Sequence, residues 1–502
     1  MALVTIDPVT RIEGHLAVRT EVDGGKVVAA HMAGEMFRGF EVILKGRHPM
    51  DAQQIAQRIC GVCPVAHGTA SILAQDMAYK VTPPANGRLL RNLILGANYI
   101  QSHILHFYHL AALDFVDIAA VTTYTGKDPA LAGLKSWVQS QTASKTPFPA
   151  APFLPRYEGQ YLKDAELNLM AIRHYLDALE MRSLAHEMGA LFAGKMPHVP
   201  SLVPGGVTER ATVDKIAAYG SMLQKLRSFI DNAYIPDVLE VAAAMPDYFK
   251  IGKGCGNFLA FGAFSESDDP SVRFLPAGTI VQGKPAPLDV ARITEDVGHS
   301  HFSSPSGKAP WEGETVPQPG KKDAYSWLKA PRYDRQVMEV GPLARMLVAY
   351  QAAHPQVKEQ VDAVLAKLKA GPEVLLSVLG RHAARAIECR IVAERCAAWL
   401  DQLAPGGRTF TDFEIPQAGK GAGLMEAARG ALGHWIEIEG RKIARYQCVV
   451  PTTWNCSPRD DQGVPGPVEQ ALVGTPIADP KNPIEATRVV RSFDPCIACA
   501  VH

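Results

Sequence analysis

Two pairs of cysteines, one near each end of the chain, have the spacing of metal ligands. Cys60 and Cys63 form one C-x-x-C pair, and Cys496 and Cys499 form the other. Such a turn can direct two thiolates at one metal ion, and two turns supply a four-thiolate site. The spacing alone leaves a structural zinc site and a redox-active metal centre open. A structural zinc usually closes a small local module, whereas these pairs would join the ends of a 502-residue chain, which favours a buried central cofactor.

The residues around both pairs resemble a known family. The first pair lies in the sequence RICGVCP, which begins at Arg58, and the second in DPCIACAVH, which ends at His502. These flanks resemble the large, catalytic subunit of nickel–iron hydrogenases. Further segments with the same resemblance are Asp7–His15, Met36–Glu41, Ser102–Tyr108, Gly341–Arg345, Ala428–Leu432 and Pro451–Asn455. The stretch Gly96–Asp114 resembles the selenium-containing branch, which often carries selenocysteine where this chain has Cys496.

The resemblance implies a nickel–iron centre held by the four cysteines. All four would bind nickel, Cys63 and Cys499 would bridge it to iron, and Cys60 and Cys496 would be terminal ligands. The iron would also carry carbon monoxide and two cyanides, and soft thiolates suit both metals. The chain would cleave H2 reversibly into protons and electrons. Cys496 is the expected proton acceptor, because a terminal thiolate is basic and is not shared between metals.

Two further residues are expected to take part in the chemistry. Glu13 matches the family's proton relay, and its carboxyl group should have a raised pKa if it is buried. Arg429 matches the guanidinium above the iron, where its fixed charge suits anionic ligands.

Other residues are expected around the metals without binding them. They are Pro451, Thr452, His67, Ser102, Ala428 and Leu432. Thr452 would donate its hydroxyl to a cyanide, and His67 would orient a sulfur or an acid. Ser102 and Ala428 depart from the family's commonest residues, Asp and Pro, which should alter the polarity and packing above the metals.

A second metal site of hard ligands is also implied. The imidazole of His502, the carboxylate of Glu41 and the backbone carbonyl of Cys448 match a Mg²⁺ or Fe²⁺ site that pins the C-terminus. An exposed terminal histidine is the alternative. Precursors in the resembling family are cut after this histidine, so a maturation protease is an expected partner and the sequence is expected to be the mature form.

The other cysteines indicate that the electrons need a partner protein. Cys255, Cys389, Cys396, Cys448 and Cys456 form no C-x-x-C pair, whereas an iron–sulfur cluster usually takes four grouped thiolates. Cys389 and Cys396 fit buried packing on a helix. The resemblance identifies the partner as the iron–sulfur small subunit of a heterodimer, bound through a large apolar surface.

Composition excludes several other classes of protein. Lys plus Arg and Asp plus Glu both number 51, so no basic excess favours nucleic acid or an anionic membrane. The mixture of 47% hydrophobic and 20% charged residues is that of a globular protein. No apolar run reaches the ~18–20 residues of a membrane span. The N-terminus lacks the features of a signal peptide, so a periplasmic or membrane-associated location would require export together with the small subunit.

The pattern of apolar residues predicts a mainly α fold with peripheral short antiparallel sheets. Hairpins are expected at 15–33 and 432–450. Helical periodicity covers 36–46, 51–80, 87–118, 163–193, 209–244, 338–351, 356–369 and 373–402. The last range carries Arg381, Arg385 and Arg390, which predict a charged face. We expect one domain over 1–502, with an irregular insertion at about 252–335 and the metals between 58–67 and 494–502.

Two competing functions stay open at this level. An H2-sensing hydrogenase would have the same ligands and slow turnover. A structural zinc protein would use the four thiolates only to hold the fold together. Nickel and iron in near-equal amounts would indicate a hydrogenase, and zinc would indicate the structural site.

Overall fold

Long helices form the centre of the protein, as the periodicity predicts. The computed structural model describes residues 2–143 and 159–502. The helices are α1 (Phe40–Leu44), α2 (Asp51–Ala56), α3 (Pro64–Tyr79), α4 (Ala85–Leu105), α5 (Pro129–Thr142), α6 (Ala165–Ala193), α7 (Val213–Phe229), α8 (Ile235–Ala244), α9 (Pro342–Gln351), α10 (Pro355–Leu368), α11 (Val378–Asp401), α12 (Pro451–Asn455), α13 (Pro467–Leu472), α14 (Ile484–Ser492) and α15 (Ile497–Val501). Almost every residue of α4 is buried, because α6 and α11 pack against it.

Small antiparallel sheets surround the helices. The strands are β1 (Ala2–Ile6), β2 (Leu16–Asp23), β3 (Lys26–Gly34), β4 (Leu202–Val203), β5 (Gly206–Val207), β6 (Phe258–Ala260), β7 (Ala263–Ser265), β8 (Arg273–Leu275), β9 (Gly278–Val281), β10 (Lys284–Ala286), β11 (Ile293–Asp296), β12 (Ala330–Tyr333), β13 (Ala418–Ala427), β14 (Gly430–Glu439) and β15 (Lys442–Val449). Both predicted hairpins are confirmed, as β2–β3 and β14–β15. The mainly α class is also confirmed. β13, which pairs with β14, was not predicted.

Several predicted helices are shorter than their apolar periodicity suggests. The range 51–80 divides into α2 and α3 around the first cysteine pair, because Pro64 begins α3 and disfavours a helical residue before it. The range 87–118 leaves α-helical geometry after Leu105, where a π-helical segment follows. A second π-helical segment separates α7 from α8. Periodicity alone could not locate these breaks, since the apolar residues continue through them.

Helix α3 lies unusually close to the C-terminal sheet. Gly421 and Gly423 on β13 face it, and a Cβ at either position would lie 1.9 Å from a backbone carbonyl oxygen, that of Ala74 or Ala70 respectively. Only glycine on the strand and small residues on the helix permit this approach. The helix that follows Cys63 is thereby held in a fixed position over β13 and β14.

Two of the three arginines that the sequence predicts on a charged face of α11 are buried, while the third, Arg390, is partly exposed. Arg381 and Arg385 are both 2% exposed. Arg381 forms a two-point contact with Glu339, with both N···O distances 2.8 Å. The periodicity argument failed here because the ion-pair partner is distant in sequence. Within the described residues, no helix combines the length and apolar composition needed to cross a bilayer.

Candidate metal centre

Four thiols from opposite ends of the chain meet in one buried cluster. The Sγ atoms of Cys60 and Cys496 are 3.4 Å apart, those of Cys63 and Cys499 are 3.1 Å apart, and those of Cys496 and Cys499 are 2.9 Å apart. All four are free of disulfide bonds and almost fully buried. Sulfur atoms so placed share either protons or a metal ion. This all-sulfur donor set fits soft metals such as nickel and low-spin iron.

Local backbone geometry aims both pairs into the cluster. Cys60 is extended, and Cys63 immediately precedes α3, which starts at Pro64, a residue suited to the first helical turn. The Sγ atom of Cys60 accepts hydrogen bonds from two backbone N–H groups of its own turn, at 3.2 and 3.3 Å. Cys496 immediately precedes α15, so Cys499 lies in the first turn of that helix. The first pair therefore lies just before a helix, and the second pair spans a helix start.

Arg38 joins the two ligand segments. Its Nη2 donates to the backbone carbonyl of Ile59 at 2.5 Å and to that of Ala498 at 2.6 Å. These carbonyls immediately precede Cys60 and Cys499. The sequence analysis gave Arg38 no role, although it lies in one of the segments that carry the resemblance.

Glu13 contacts the cysteine that was predicted to be its proton donor. Its Oε2 accepts hydrogen bonds from the Cys496 thiol at 3.1 Å and from the backbone N–H of Ala498 at 3.0 Å. The next residue, Gly14, has a φ of 81°, and a Cβ there would lie 2.7 Å from the nitrogen of Ala498, so only glycine permits this approach. Burial raises the pKa of Glu13, and the nearby Cys60 thiolate raises it further. The predicted direction is confirmed, although Glu13 is half-buried.

Arg429 lies beside the sulfurs and has hydrogen-bond donors that are unpaired within the described residues. Its Nη2 is 3.0 Å from Oδ1 of Asp494, and its Nη1 donates to the Ser102 hydroxyl at 3.5 Å. The contact with Asp494 is an ion pair without hydrogen-bond alignment, so the Nε and Nη2 protons of Arg429 have no acceptor among the described residues. Burial alone would lower the pKa of Arg429, but Asp494 and the cysteine thiolates hold it well above its ordinary value. A buried cation with unfilled donors fits a small anionic acceptor.

A small cavity separates Arg429 from the sulfurs. It is lined by Cys63, His67, Ala427, Arg429, Leu432, Val450, Pro451, Thr452, Cys496 and Cys499. The Thr452 hydroxyl oxygen accepts a hydrogen bond from the backbone N–H of Cys496 at 3.0 Å, so the hydroxyl proton can be donated elsewhere. Ala427 lines the cavity. Ala428 is buried, and its carbonyl accepts a hydrogen bond from Arg345 at 2.8 Å.

His67 contacts a sulfur, as predicted. Its Nε2 is 3.3 Å from Sγ of Cys499, and its Nδ1 is 3.1 Å from Nε2 of His434. Burial lowers the pKa of His67 to about 4, so its ring is neutral at neutral pH. His434, on β14, was not predicted, because no local pattern links it to Cys499.

A second cluster brings together the residues predicted for a hard metal. A carboxylate oxygen of Glu41, the Sγ atom of Cys448 and a ring nitrogen of His502 lie within 4.8 Å of one another. This distance concerns the side chain of Cys448, so its backbone carbonyl stays a prediction. Nε2 of His502 is 3.2 Å from Oε1 of Glu41, which also accepts a hydrogen bond from the backbone N–H of Cys448 at 2.7 Å. The side chain of His502 is buried, in contrast to the alternative of an exposed terminal histidine.

A lysine that the sequence analysis missed faces this second cluster. Nζ of Lys329 is 3.1 Å from Oε2 of Glu41 and 3.7 Å from Oε2 of Glu295. Burial would raise the pKa of Glu41, but Lys329 and His502 bring it well below its ordinary value. The carboxylate is therefore ionised and already has a positive partner.

Comparisons with known proteins agree with this geometry. A family model described as nickel-dependent hydrogenase matches residues 38–502, and one described as HoxL-like matches residues 3–33. The periplasmic [NiFeSe] hydrogenase large subunit of Desulfomicrobium baculatum is 44% identical, covering 99% of this chain and 94% of the relative. The hydrogenase-2 large chain of Escherichia coli is 37% identical, covering 99% and 97%.

Solved structures show the same fold. A chain of the H2-activated [NiFeSe]-hydrogenase of Dm. baculatum superposes with a TM-score of 0.90 at 44% identity, and both chains are covered completely. A chain of the oxidized Ni-Fe-Se hydrogenase of D. vulgaris Hildenborough gives a TM-score of 0.89 at 42% identity, again with complete coverage of both. The chain belongs to the nickel-dependent hydrogenase family, in which it is a catalytic large subunit.

Proposed function

We propose that the four clustered cysteines hold the nickel–iron centre of this hydrogenase. In this assignment Cys60 and Cys496 bind nickel alone, and Cys63 and Cys499 bind nickel and iron. The observation that carries the proposal is the convergence of four buried thiols from opposite ends of the chain. When bound, the centre would activate H2 and take up its two electrons.

The first proton from H2 goes to the Cys496 sulfur in this proposal. Of the four thiols, Cys496 contacts a carboxylate, since Oε2 of Glu13 is 3.1 Å away. Cys499 instead faces the neutral ring of His67. A proton on Cys496 therefore has an acceptor within hydrogen-bond reach, which a general-base relay requires.

Glu13 would carry this proton away from the metals. Its raised pKa makes the carboxylate a better proton acceptor than an ordinary glutamate, because burial disfavours its charged form. The following residues, Gly14 and His15, are exposed. The relay therefore needs to cover only a short distance before the proton reaches the surface of this chain.

Carbon monoxide and two cyanides on the iron are part of the proposal. The unfilled donors of Arg429 and the free hydroxyl proton of Thr452 adjoin the cavity beside Cys63 and Cys499. Arg429 would stabilise one anionic ligand by charge and hydrogen bonding, and Thr452 would donate to the other. The apolar wall of Leu432 and Pro451 would keep water away from both.

A Mg²⁺ or Fe²⁺ ion at the second cluster is likewise proposed. Glu41 and His502 would supply a carboxylate and an imidazole. The backbone carbonyl of Cys448 would be the third protein ligand. Oxygen and nitrogen donors suit such a cation. Lys329 would then stand beside the ligand shell and balance the charge of Glu41 and Glu295.

Electrons would leave to an iron–sulfur small subunit in a heterodimer. Apolar side chains are exposed close to Arg38, which holds the metal segments: Met36 is 70% exposed, Val42 50% and Ile43 41%. Such a patch supports docking of a protein partner at the edge of the site. A periplasmic location is proposed because the relative from Desulfomicrobium baculatum is periplasmic. Processing of a precursor by a maturation protease stays a prediction, as does the single domain over 1–502.

Metal analysis and infrared spectroscopy of the purified heterodimer test the proposal. We expect nickel and iron in near-equal amounts, together with stretching bands of bound carbon monoxide and cyanide. The isolated large subunit should reduce soluble dyes poorly with H2, and adding the small subunit should restore the rate. Zinc in place of nickel would contradict the metal assignment, and full dye reduction by the lone chain would contradict the electron route. The H2-sensor alternative gains no support from the geometry, because the ligands are the same.

A further inference from the structure

A buried arginine on α9 contacts the chain just before Arg429. Arg345 lies in the first turn of the helix and is 1% exposed. Its Nη1 donates to the backbone carbonyl of Ala427 at 3.0 Å, and its Nη2 donates to that of Ala428 at 2.8 Å. These two residues immediately precede Arg429, which lines the cavity beside the sulfurs. The segment that carries Arg429 is therefore held from the side of α9.

Every N–H group of the Arg345 guanidinium has an acceptor. Besides the two carbonyls, Nε and Nη2 donate to the two carboxylate oxygens of Glu388 at 2.5 and 2.6 Å, and Nη1 donates to Glu426 at 2.6 Å. Burial alone would raise the pKa of Glu388, but Arg345 lowers it to about 2, so this carboxylate is ionised. The planar fork of an arginine can make these five contacts at once, whereas the donors of a lysine sit on one atom.

The side chain of Arg429 has few aligned partners of its own. Its Nε and Nη2 protons have no acceptor among the described residues, and its contact with the Ser102 hydroxyl is long at 3.5 Å. Its ion pair with Asp494 lacks hydrogen-bond alignment. Because these contacts constrain the guanidinium weakly, its position depends on the backbone from which the side chain extends.

That backbone lies in a two-residue turn between β13 and β14. Ala427 and Gly430 are paired at the ends of the two strands, so Ala428 and Arg429 form the turn. Gly341, which precedes α9, packs against it. A Cβ on Gly341 would lie 3.0 Å from the carbonyl oxygen of Arg429, and a Cβ on Gly430 would lie 2.8 Å from the nitrogen of Gly341. Both glycines have positive φ values, 126° and 138°. The start of α9 therefore contacts the turn closely, and Arg345 holds it from one helical turn further on.

Glu388 extends the same network to α4. Nε2 of His103 is 2.9 Å from Oε2 of Glu388, and the ionised carboxylate can only accept this hydrogen bond. His103 follows Ser102, whose hydroxyl is the acceptor nearest to Nη1 of Arg429. The two segments that flank the Arg429 guanidinium are thus joined through one buried ion pair.

We propose that Arg345 is a positioning residue that holds the Arg429 guanidinium in place over the sulfur cavity, with Glu388 as its anchor. This role rests on the proposed function, in which Arg429 donates to a cyanide. Arg345 acts through the carbonyls of Ala427 and Ala428. A donor stabilises a ligand or transition state most when it is already fixed in position, and a displacement of about 1 Å from a change outside the reacting groups can lower a rate by about 100-fold.

Arg345→Lys in the metal-loaded heterodimer tests this role, because it keeps the charge and loses the fork. Nickel content should stay at the wild-type level. At least one cyanide stretching band should move to lower wavenumber, since a cyanide that loses a hydrogen bond at its nitrogen has a lower stretching frequency. H2 uptake per bound nickel should fall by about 10-fold or more.

Arg91→Lys is the matched control, since Arg91 is also buried, at 5% exposure. It donates to the carboxylate of Asp76 at 2.5 Å and to the backbone carbonyls of Val203 and Gly206 at 2.7 and 3.3 Å. None of these four residues lines the sulfur cavity. The bands of this variant should coincide with those of the wild type. A shift as large as that of Arg345→Lys would reflect the disturbance of any buried arginine and would overturn the positioning role.

The double variant Arg345→Met/Glu388→Gln keeps the test open if Arg345→Lys does not assemble. It removes both charges of the pair, so that neither is left buried without the other, and it should shift the same cyanide band further. Bands at wild-type positions in whichever variant assembles would overturn the positioning role. So would loss of nickel from both variants, because the pair would then serve assembly of the centre and not the placement of Arg429. Absence of cyanide bands from the wild type would instead overturn the proposed ligands of the iron, so the two failures can be told apart.

Discussion

The two ligand clusters of this protein balance their charges in opposite ways. The Sγ atoms of Cys60, Cys63, Cys496 and Cys499 lie in contact with one another, and a bound metal cation would replace their protons, which are released to solvent. The cluster of Glu41, Cys448 and His502 already contains an ionised carboxylate, neutralised by Lys329.

The sulfur cluster is the proposed site of the chemistry, and the second cluster stabilises the C-terminal segment. In the second cluster, protein groups complete the ion pairs, and the backbone carbonyl of His502 also accepts a hydrogen bond from Phe40 at 2.8 Å. Protein contacts therefore anchor the C-terminal segment in addition to the proposed metal ion. In the sulfur cluster the four thiols contact one another, so their state depends on the cofactor. Substitutions in the sulfur cluster should consequently affect metal content and turnover, whereas substitutions in the second cluster should affect stability.

The largest effect is expected from losing one bridging thiol. Cys499→Ala should abolish nickel incorporation and H2 uptake, because it removes a ligand proposed to be shared by both metals. Cys456→Ala is the control, since Cys456 is fully buried and outside both clusters. The test compares the nickel content, measured by elemental analysis, and the rate of H2 uptake of the two variants. Uptake at the wild-type rate in Cys499→Ala would contradict the assignment.

The next effect concerns the proton route and leaves the metals in place. Glu13→Gln should keep nickel and iron but lower turnover by about 100-fold or more, because the amide cannot relay a proton. Exchange between para- and ortho-hydrogen should survive better than exchange with D2O, since only the second needs the relay. Glu21→Gln, a half-buried glutamate on β2, provides the comparison. Equal loss of both exchange reactions would argue against the relay.

The second cluster should respond through stability and not through the chemical step. Glu41→Gln leaves Lys329 buried with Glu295 at 3.7 Å as its remaining acid, and we expect a loss of about 3 kcal/mol in unfolding free energy. The double variant Glu41→Gln/Lys329→Met removes the unpaired cation and should recover part of the loss. Thermal unfolding of both variants measures this. A double variant less stable than the single one would show that Lys329 does not depend on Glu41.

The stability contributed by Glu469 should fall as pH rises, because burial raises the pKa of this carboxyl group. Glu41 behaves in the opposite way, since its pKa is lowered. Glu469 accepts hydrogen bonds from the backbone N–H of Met32 and the Tyr325 hydroxyl, and burial raises its pKa to about 7, with Arg459 opposing the shift. Its folded pKa exceeds the ordinary 4.5. The associated stability is therefore complete below pH ~4.5 and lost as pH rises through ~7, by up to about 3 kcal/mol.

Glu469→Gln should flatten this part of the stability profile. Gln keeps one carbonyl oxygen for Met32 and Tyr325 and cannot ionise. Melting temperatures at several pH values between ~4.5 and ~8.5 measure the slope. The exposed Glu439→Gln should leave the slope unchanged. A variant with the wild-type slope would assign the pH dependence to other groups.

Local sequence patterns located most of the site in advance. The C-x-x-C pairs, Glu13 and Arg429 were all found from the motifs around them, and each lies in or against the sulfur cluster. The sequence analysis missed the residues that contact the two clusters from distant parts of the chain. Lys329 and His434 lie in segments without a local motif, and they approach the clusters only because β12 and β14 pass beside them.

The helices show the same difference between features that follow from local sequence and features that depend on distant contacts. Apolar periodicity found the long helices because a buried stripe repeats every 3.6 residues. It could not find the break before Pro64, where the chain leaves the helix to place Cys60 and Cys63, and it assigned Arg381 and Arg385 to a charged face. Both arginines are buried, since Glu339, a distant acid, neutralises Arg381 and the backbone carbonyl of Ser492 accepts from Arg385.

The sequence by itself determined the ligand types, their pairing in turns and the family, because these depend on residues close together along the chain. Only the tertiary structure decided which groups set the charge and hydrogen-bonding of those ligands. Glu13 reaches Cys496, His67 lies between Cys499 and His434, and Lys329 reaches Glu41. The physical reason is that a hydrogen bond or ion pair depends on distances of about 3 Å, and folding brings these atoms together from opposite ends of the chain.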